Sequence, residues 1–211
     1  MLEDIGQIFL VALPAVFFVV DPIGVVPIFL AITARDSPKK VRSMALRASI
    51  AGGGILFFFA LFGGVVFKVL GVSLSAFRVA GGILLLMTAL DMLRAKTSAT
   101  KTTAEEEKEG EAKEDVSLVP LAIPLLSGPG SIATVMVLMS HGRHVVTAIP
   151  VLVSIVLTFV ASYFILNGAT WVQRALKASG VAILQRVMGL VLAAIAVQFI
   201  AEGGKDLLGP R

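Results

Sequence analysis

The sequence predicts an all-α integral membrane protein of six transmembrane helices, arranged as two three-helix repeats of inverted topology. Three observations carry this. Of 211 residues, 57% are hydrophobic and 15% charged, with a mean hydropathy of +0.95; soluble domains run nearer half apolar and a quarter charged. Residues 48–67, 116–140 and 145–173 carry no Asp, Glu, Lys or Arg, and residues 5–34 carry only Asp21. A bilayer core of about 30 Å needs roughly 20 apolar helical residues, and each of these stretches supplies them. Finally, the same proline–glycine signals occur once in each half.

The helices are expected at 5–33, 44–69, 75–94, 116–140, 145–172 and 182–203. The third and sixth have shorter apolar cores, about 76–93 and 184–201, each starting near an arginine. The start Met-Leu-Glu-Asp is acidic, unlike the basic n-region of a signal peptide. Residues 97–115 read as a polar linker rich in Thr, Glu and Lys with no apolar face. The chain is thus one transmembrane domain, 1–211, with repeats at 1–96 and 116–211 around the linker. Loops 1, 3 and 5 hold 13 basic residues and the opposite side holds 5. Positive-inside therefore places loops 1, 3 and 5, and the linker, in the cytoplasm and both termini outside. The pI near 9.6 is read as this topology signal and not as a nucleic-acid surface. No cysteine is present, which excludes disulfides and thiolate metal sites.

The repeat rests on two pairs of signatures. Helix 1 contains Asp21-Pro22-Ile23-Gly24-Val25-Val26-Pro27, and helix 4 contains Ser127-Gly128-Pro129-Gly130-Ser131. Arg78-Val79-Ala80-Gly81 opens helix 3 and Arg186-Val187-Met188-Gly189 opens helix 6. Pro22 precedes Arg78 by 56 residues, and Pro129 precedes Arg186 by 57. Three spans per half force the second half to enter the membrane in the opposite sense, an arrangement used by secondary transporters.

Both breaks fall near the bilayer midplane, since Asp21 lies about 20 Å along helix 1 at ~1.5 Å per residue. Proline removes a donor and glycine permits unusual dihedrals. Backbone groups freed this way must face protein or a water-lined cavity. Asp21-Pro22 has the form of an N-cap followed by proline at the first helical position. Gly128-Pro129 has the same form without the carboxylate. Each break is expected to start a new half-helix, its positive N-terminus aimed across the midplane at the other. Such a pair suits a small anionic group, for example an amino-acid carboxylate.

Asp21 is the one acidic residue deep in a span. It has two readings, a proton, cation or substrate-amine site and a plain helix cap. Ser127 and Ser131 likewise fit either a small polar ligand or backbone satisfaction. Arg78 and Arg186, at span entrances, are read as snorkelling residues or as gate and packing residues. Asp91, Asn167 and Gln198 read as interhelical hydrogen-bond glue, and Gly52-Gly53-Gly54 and Gly63-Gly64 as close-packing positions. His141 and His144 lie in one short loop, and no metal or intramembrane-protease motif occurs, so no enzyme activity and no cofactor is expected.

The motif Asp21-Pro22-Ile23-Gly24-x-x-Pro27-Ile28-Phe29-Leu30 resembles that of the MarC family, which includes the SnatA-like small neutral amino acid transporters. Pro124-Leu125-Leu126-Ser127-Gly128-Pro129-Gly130 and Arg186-Val187-Met188-Gly189-Leu190 are similar to it as well, and the likeness covers nearly the whole chain. It implies a bacterial or archaeal cytoplasmic-membrane protein related in architecture to LysE-type exporters, in a family some of whose members carry glycine and alanine. Carried over by position, Asp21, Pro22, Gly24, Ser127, Gly128, Pro129, Gly130 and Ser131 would form the substrate site; apart from the resemblance, Asp21 as the titrating residue in a span makes a proton the expected coupling ion. The expected partners are an amino-acid substrate and membrane lipid; a homo-oligomer is compatible with the sequence. An exporter of another small metabolite or drug and a non-transporting scaffold or regulator are the alternatives. A scaffold, however, has no use for two helices interrupted at matching depth.

Overall fold

The computed structural model describes residues 2–69, 71–94, 115, 117–140 and 144–208. The linker before Asp115, His141, Arg143 and Arg211 lie outside these. The regular structure among the described residues is entirely helical. The first expected helix is α1 (Leu2–Val20) and α2 (Val26–Ile32); the second is α3 (Pro38–Val69) and the third α4 (Leu74–Leu93). The fourth is α5 (Ser117–Leu126) and α6 (Pro129–Ser140), the fifth α7 (His144–Asn167) and the sixth α8 (Ala169–Leu208).

Boundaries differ from expectation where charge was read as loop. α3 starts at Pro38, not 44, because proline suits the first helical turn and the stems of Lys39, Lys40 and Arg42 can run along a helix while their heads reach water. Arg174 and Lys177 likewise lie within α8, which bends where Lys177 takes a left-handed φ of 54°. Gly168 alone separates α7 from α8. α5 is irregular: Val119 and Ile123 are extended (φ −129° at both), as a following proline demands. α4 is capped by Ser73, whose hydroxyl accepts from the Ala76 N–H at 3.1 Å.

Among the described residues α3, α4, α7 and α8 are long and apolar enough to cross a membrane, and α5 with α6, bent by 55°, makes a fifth such unit. Ile5–Val20 is apolar but shorter. The side-chain distribution matches a lipid environment. Leu10, Ile50, Phe62, Phe164, Trp171 and Leu190 point outward, whereas Asp21, Thr88, Ser127, Ser131, Ser154, Thr158 and Ser162 are buried. A soluble protein does not expose apolar side chains on this scale.

α4 and α8 form the most extensive contact; α1 packs on α7, α3 on α5, α6 and α7, and α6 also on α4. The α4/α8 approach is backbone-close. A Cβ at Gly189 would lie 2.9 Å from the Ala89 carbonyl oxygen, and one at Gly82 2.9 Å from that of Ala196. One core cluster joins α1, α2, α3, α5, α6 and α7 around Val16, Phe29, Leu56, Leu125 and Ile155. A second joins α4 and α8 around Leu85, Met188 and Leu192, with Val19 of α1. Gly52, Gly53 and Gly63 are contact positions against Phe159 and Met136, as expected, but Gly54 and Gly64 face open space. Gln198 bonds Glu202 of its own helix at 2.9 Å, so its hydrogen bond is intrahelical and not the interhelical one expected.

Candidate functional site

At the first break α1 stops at Val20, and Asp21 adopts a left-handed φ of 53°, a conformation that aspartate tolerates better than most residues. The chain then turns through Pro22–Val25 before α2 begins. The Asp21 carboxylate accepts from the Gly24 N–H at 2.9 Å, so it caps the turn. The carboxylate was expected to cap the new half-helix; instead a four-residue turn intervenes, and the N-cap of α2 is Val25, which has no side-chain cap bond. Gly24 is required here. A Cβ would run into the Asp21 carboxylate and would lie 2.5 Å from Gln185 Nε2. Gln185 of α8 therefore reaches the break.

At the second break Ser127 and Gly128 separate α5 from α6. The Ser127 hydroxyl donates to the Gly52 carbonyl oxygen of α3 at 2.8 Å. The Ser131 hydroxyl lies 3.4 Å from two carbonyl oxygens, Val19 of α1 and Leu126 of α5. Both belong to last helical turns, whose carbonyls lack intrahelical donors. One serine thus serves both interrupted helices. Beside it Thr134 donates to the Gly130 carbonyl oxygen at 2.8 Å, and Thr88 Oγ1 of α4 lies 3.3 Å from where a Gly130 Cβ would be.

The breaks therefore meet, but not as expected. α2 packs on α8 and α7, and the direct contact runs from the first turn of α6 to the C-terminal turn of α1, not from one half-helix N-terminus to the other. α2 has only seven residues, and the turn before it redirects the chain. The site is tightly packed, with Asp21 4%, Ser127 2% and Ser131 1% exposed. Pro22, Gly128 and Gly130 are buried, Gly24 is half-buried and Pro129 is exposed.

The two arginines part company. Arg78 is largely buried, donates to the Ser140 hydroxyl at 3.1 and 3.2 Å and pairs with Asp206 at 3.0 Å. It ties α4, α6 and α8 at one end of the molecule. Arg186 is exposed. At the start of α5, Asp115 accepts from the Ser117 hydroxyl and N–H and pairs with Arg47 at 2.8 Å. The Ser117 hydrogen bonds, then Arg47, hold its carboxyl below the usual carboxylate range. Gln185 and Thr88 were not singled out from sequence; the available signal was a polar residue inside or beside an otherwise apolar span. No group of three or more His, Asp or Glu among the described residues could hold a metal.

Outward apolar side chains, inward hydroxyls and two interrupted helices meeting at a buried serine define a multi-pass integral membrane protein. Residues 6–208 match the model of the MarC family integral membrane protein. The chain belongs to the MarC family. It is 40% identical over 203 residues to a UPF0056 membrane protein of Methanocaldococcus jannaschii, covering 96% of this chain and 98% of the relative. It is 33% identical to one of Aquifex aeolicus, covering 98% and 97%, and 30% identical to YhcE of Escherichia coli, covering 90% and 89%. These names describe a membrane protein and no activity. No solved structure matches.

Proposed function

We propose that this chain is a secondary transporter of small neutral amino acids, glycine- or alanine-like, acting by alternating access in the cytoplasmic membrane of a bacterium or archaeon. It works without catalysis or cofactor. In this reading α1 with α2 forms the first of six spans and α5 with α6 the fourth, both termini lie outside, and the halves 1–96 and 116–211 are inverted repeats. The packing pattern supports the repeat. Exchanging span 1 with 4, 2 with 5 and 3 with 6 turns the α1/α7 contact into α3 with α5 and α6. It turns α4/α6 into α8 with α1 and α2, and leaves α4/α8 and α3/α7 unchanged; all of these contacts occur.

The observation that carries the reading is the Ser131 bridge between the two breaks. A zwitterion needs a donor set for its carboxylate and an acceptor set for its ammonium. The first-turn N–H groups of α6 at Gly130 and Ser131 supply donors with positive helix-end potential. The Val19 carbonyl and the Asp21 carboxylate supply acceptors. Ser127 and Ser131 give hydroxyls, and in this reading the tightly packed surroundings open during the cycle only far enough for a small side chain. Protonation of Asp21 during the cycle would couple flux to a proton gradient, and the Arg78–Ser140–Asp206 cluster would close one end. The test is flux of labelled alanine in proteoliposomes with and without a pH gradient. Flux that rises with the gradient, and loses that response in Asp21→Asn, is expected; no flux of any small neutral amino acid would overturn the reading.

A further inference from the structure

Away from the breaks, α3 and α7 enclose an open groove of about 600 Å³, within the ~300–1,000 Å³ of small-molecule sites. Its walls are apolar, with Ile50, Phe57, Phe58 and Phe159 among them, and it opens on the outward apolar face. Gly54 keeps it open, since a Cβ there would meet no atom within 4 Å. Two polar side-chain groups interrupt the walls. The Ser49 hydroxyl is buried, lines the groove and finds no hydrogen-bond partner among the described residues. The Tyr163 hydroxyl accepts from Arg42 Nε at 3.1 Å.

Arg42 shares a helical stripe with Leu46, Ser49, Ile50 and Gly53, so it stands at the groove's mouth. Among the described residues its charge meets no carboxylate. Lys40 pairs with Asp36 at 2.7 Å and Arg47 with Asp115 at 2.8 Å. Arg42 has only the neutral Tyr163 phenol among the described residues. A guanidinium fixed by one N–H and free along its remaining edge suits a phosphate.

We propose that this groove binds one anionic phospholipid, with an acyl chain between α3 and α7 and the headgroup phosphate on Arg42. Ser49 offers a donor to an oxygen of the glycerol region. A lipid tail leaving bilayer for groove exchanges one apolar setting for another, so selectivity resides in the head. The site is independent of whether the chain transports amino acids.

The test is native mass spectrometry of the full chain in detergent, titrated with phosphatidylglycerol or phosphatidylcholine of identical chains. One phosphatidylglycerol should be retained about five-fold better, the weight of a single basic side chain against an anionic lipid. Arg42→Gln, on the exposed helix surface, should remove the preference. Gly54→Leu should fill the groove and lower retention of both lipids. Equal retention of the two lipids by the unaltered chain, or a preference that survives Arg42→Gln, would overturn the proposal. So would a Gly54→Leu chain that loses a dimer but keeps its lipid, which would assign the groove to a second copy.

Discussion

Asp21 combines two demands that substitution can separate. Its left-handed backbone and its bond to the Gly24 N–H are both available to asparagine but not to alanine. Asp21→Ala should therefore cost about 1–3 kcal/mol, from a lost cap and an unfavourable φ. Asp21→Asn should cost well under half of that in the same detergent unfolding titration, so a transport defect in Asp21→Asn reports the charge and not the fold. Thr158 presents the opposite case. Its hydroxyl is fully buried and unpartnered among the described residues, and an unsatisfied buried group costs ~1–3 kcal/mol. Thr158→Val should be neutral or stabilising by thermal unfolding. Which residues carry charge at membrane depth was readable from the sequence; that Gln185 reaches Gly24 was not, because 161 positions separate them in the chain.

Helices that pack backbone to backbone tolerate no added carbon. Gly189→Ala places a methyl 2.9 Å from the Ala89 carbonyl oxygen and 3.1 Å from the Leu93 nitrogen, neither able to move alone. It should destabilise by ~1–3 kcal/mol. Gly54→Ala meets nothing within 4 Å and should gain close to 1 kcal/mol of helix propensity; unfolding midpoints of the pair check both. The Arg78 cluster divides in the same way. Asp206 is half exposed, so Asp206→Asn should cost under about 1 kcal/mol. Arg78→Ala also removes the donors to the Ser140 hydroxyl and carbonyl oxygens and should cost more. The helix breaks and the α4 start were legible because proline, glycine and apolar runs act locally. The early start of α3 and the helical turns around the kink at Lys177 were not, because lysine and arginine there read as loop while the chain is helical on both sides.

Across the whole molecule, polar groups gather inside and apolar groups outside, and two interrupted helices share one serine. Composition alone announced the membrane. The way the breaks meet depended on packing that no local signal encodes, since a short turn after Asp21 steers α2 toward α8. The end that carries Arg47 and Asp115 adds a weak pH dependence. Asp115 has a depressed folded-state pKa, so its contribution is complete above the ordinary carboxylate range and is lost only as pH falls through the lower folded value. Asp115→Asn should flatten that acid limb of stability and lower the neutral-pH stability by the same small amount, so that wild type and variant converge in acid. The chain has no cysteine, so Ser131→Cys creates a unique, nearly isosteric reporter at the junction of the breaks. In proteoliposomes its reaction with a small charged thiol reagent should proceed, because alternating access must open the site to water, and saturating alanine should slow it several-fold. A thiol that never reacts, or one whose rate ignores every small neutral amino acid, would contradict a substrate site at the two breaks.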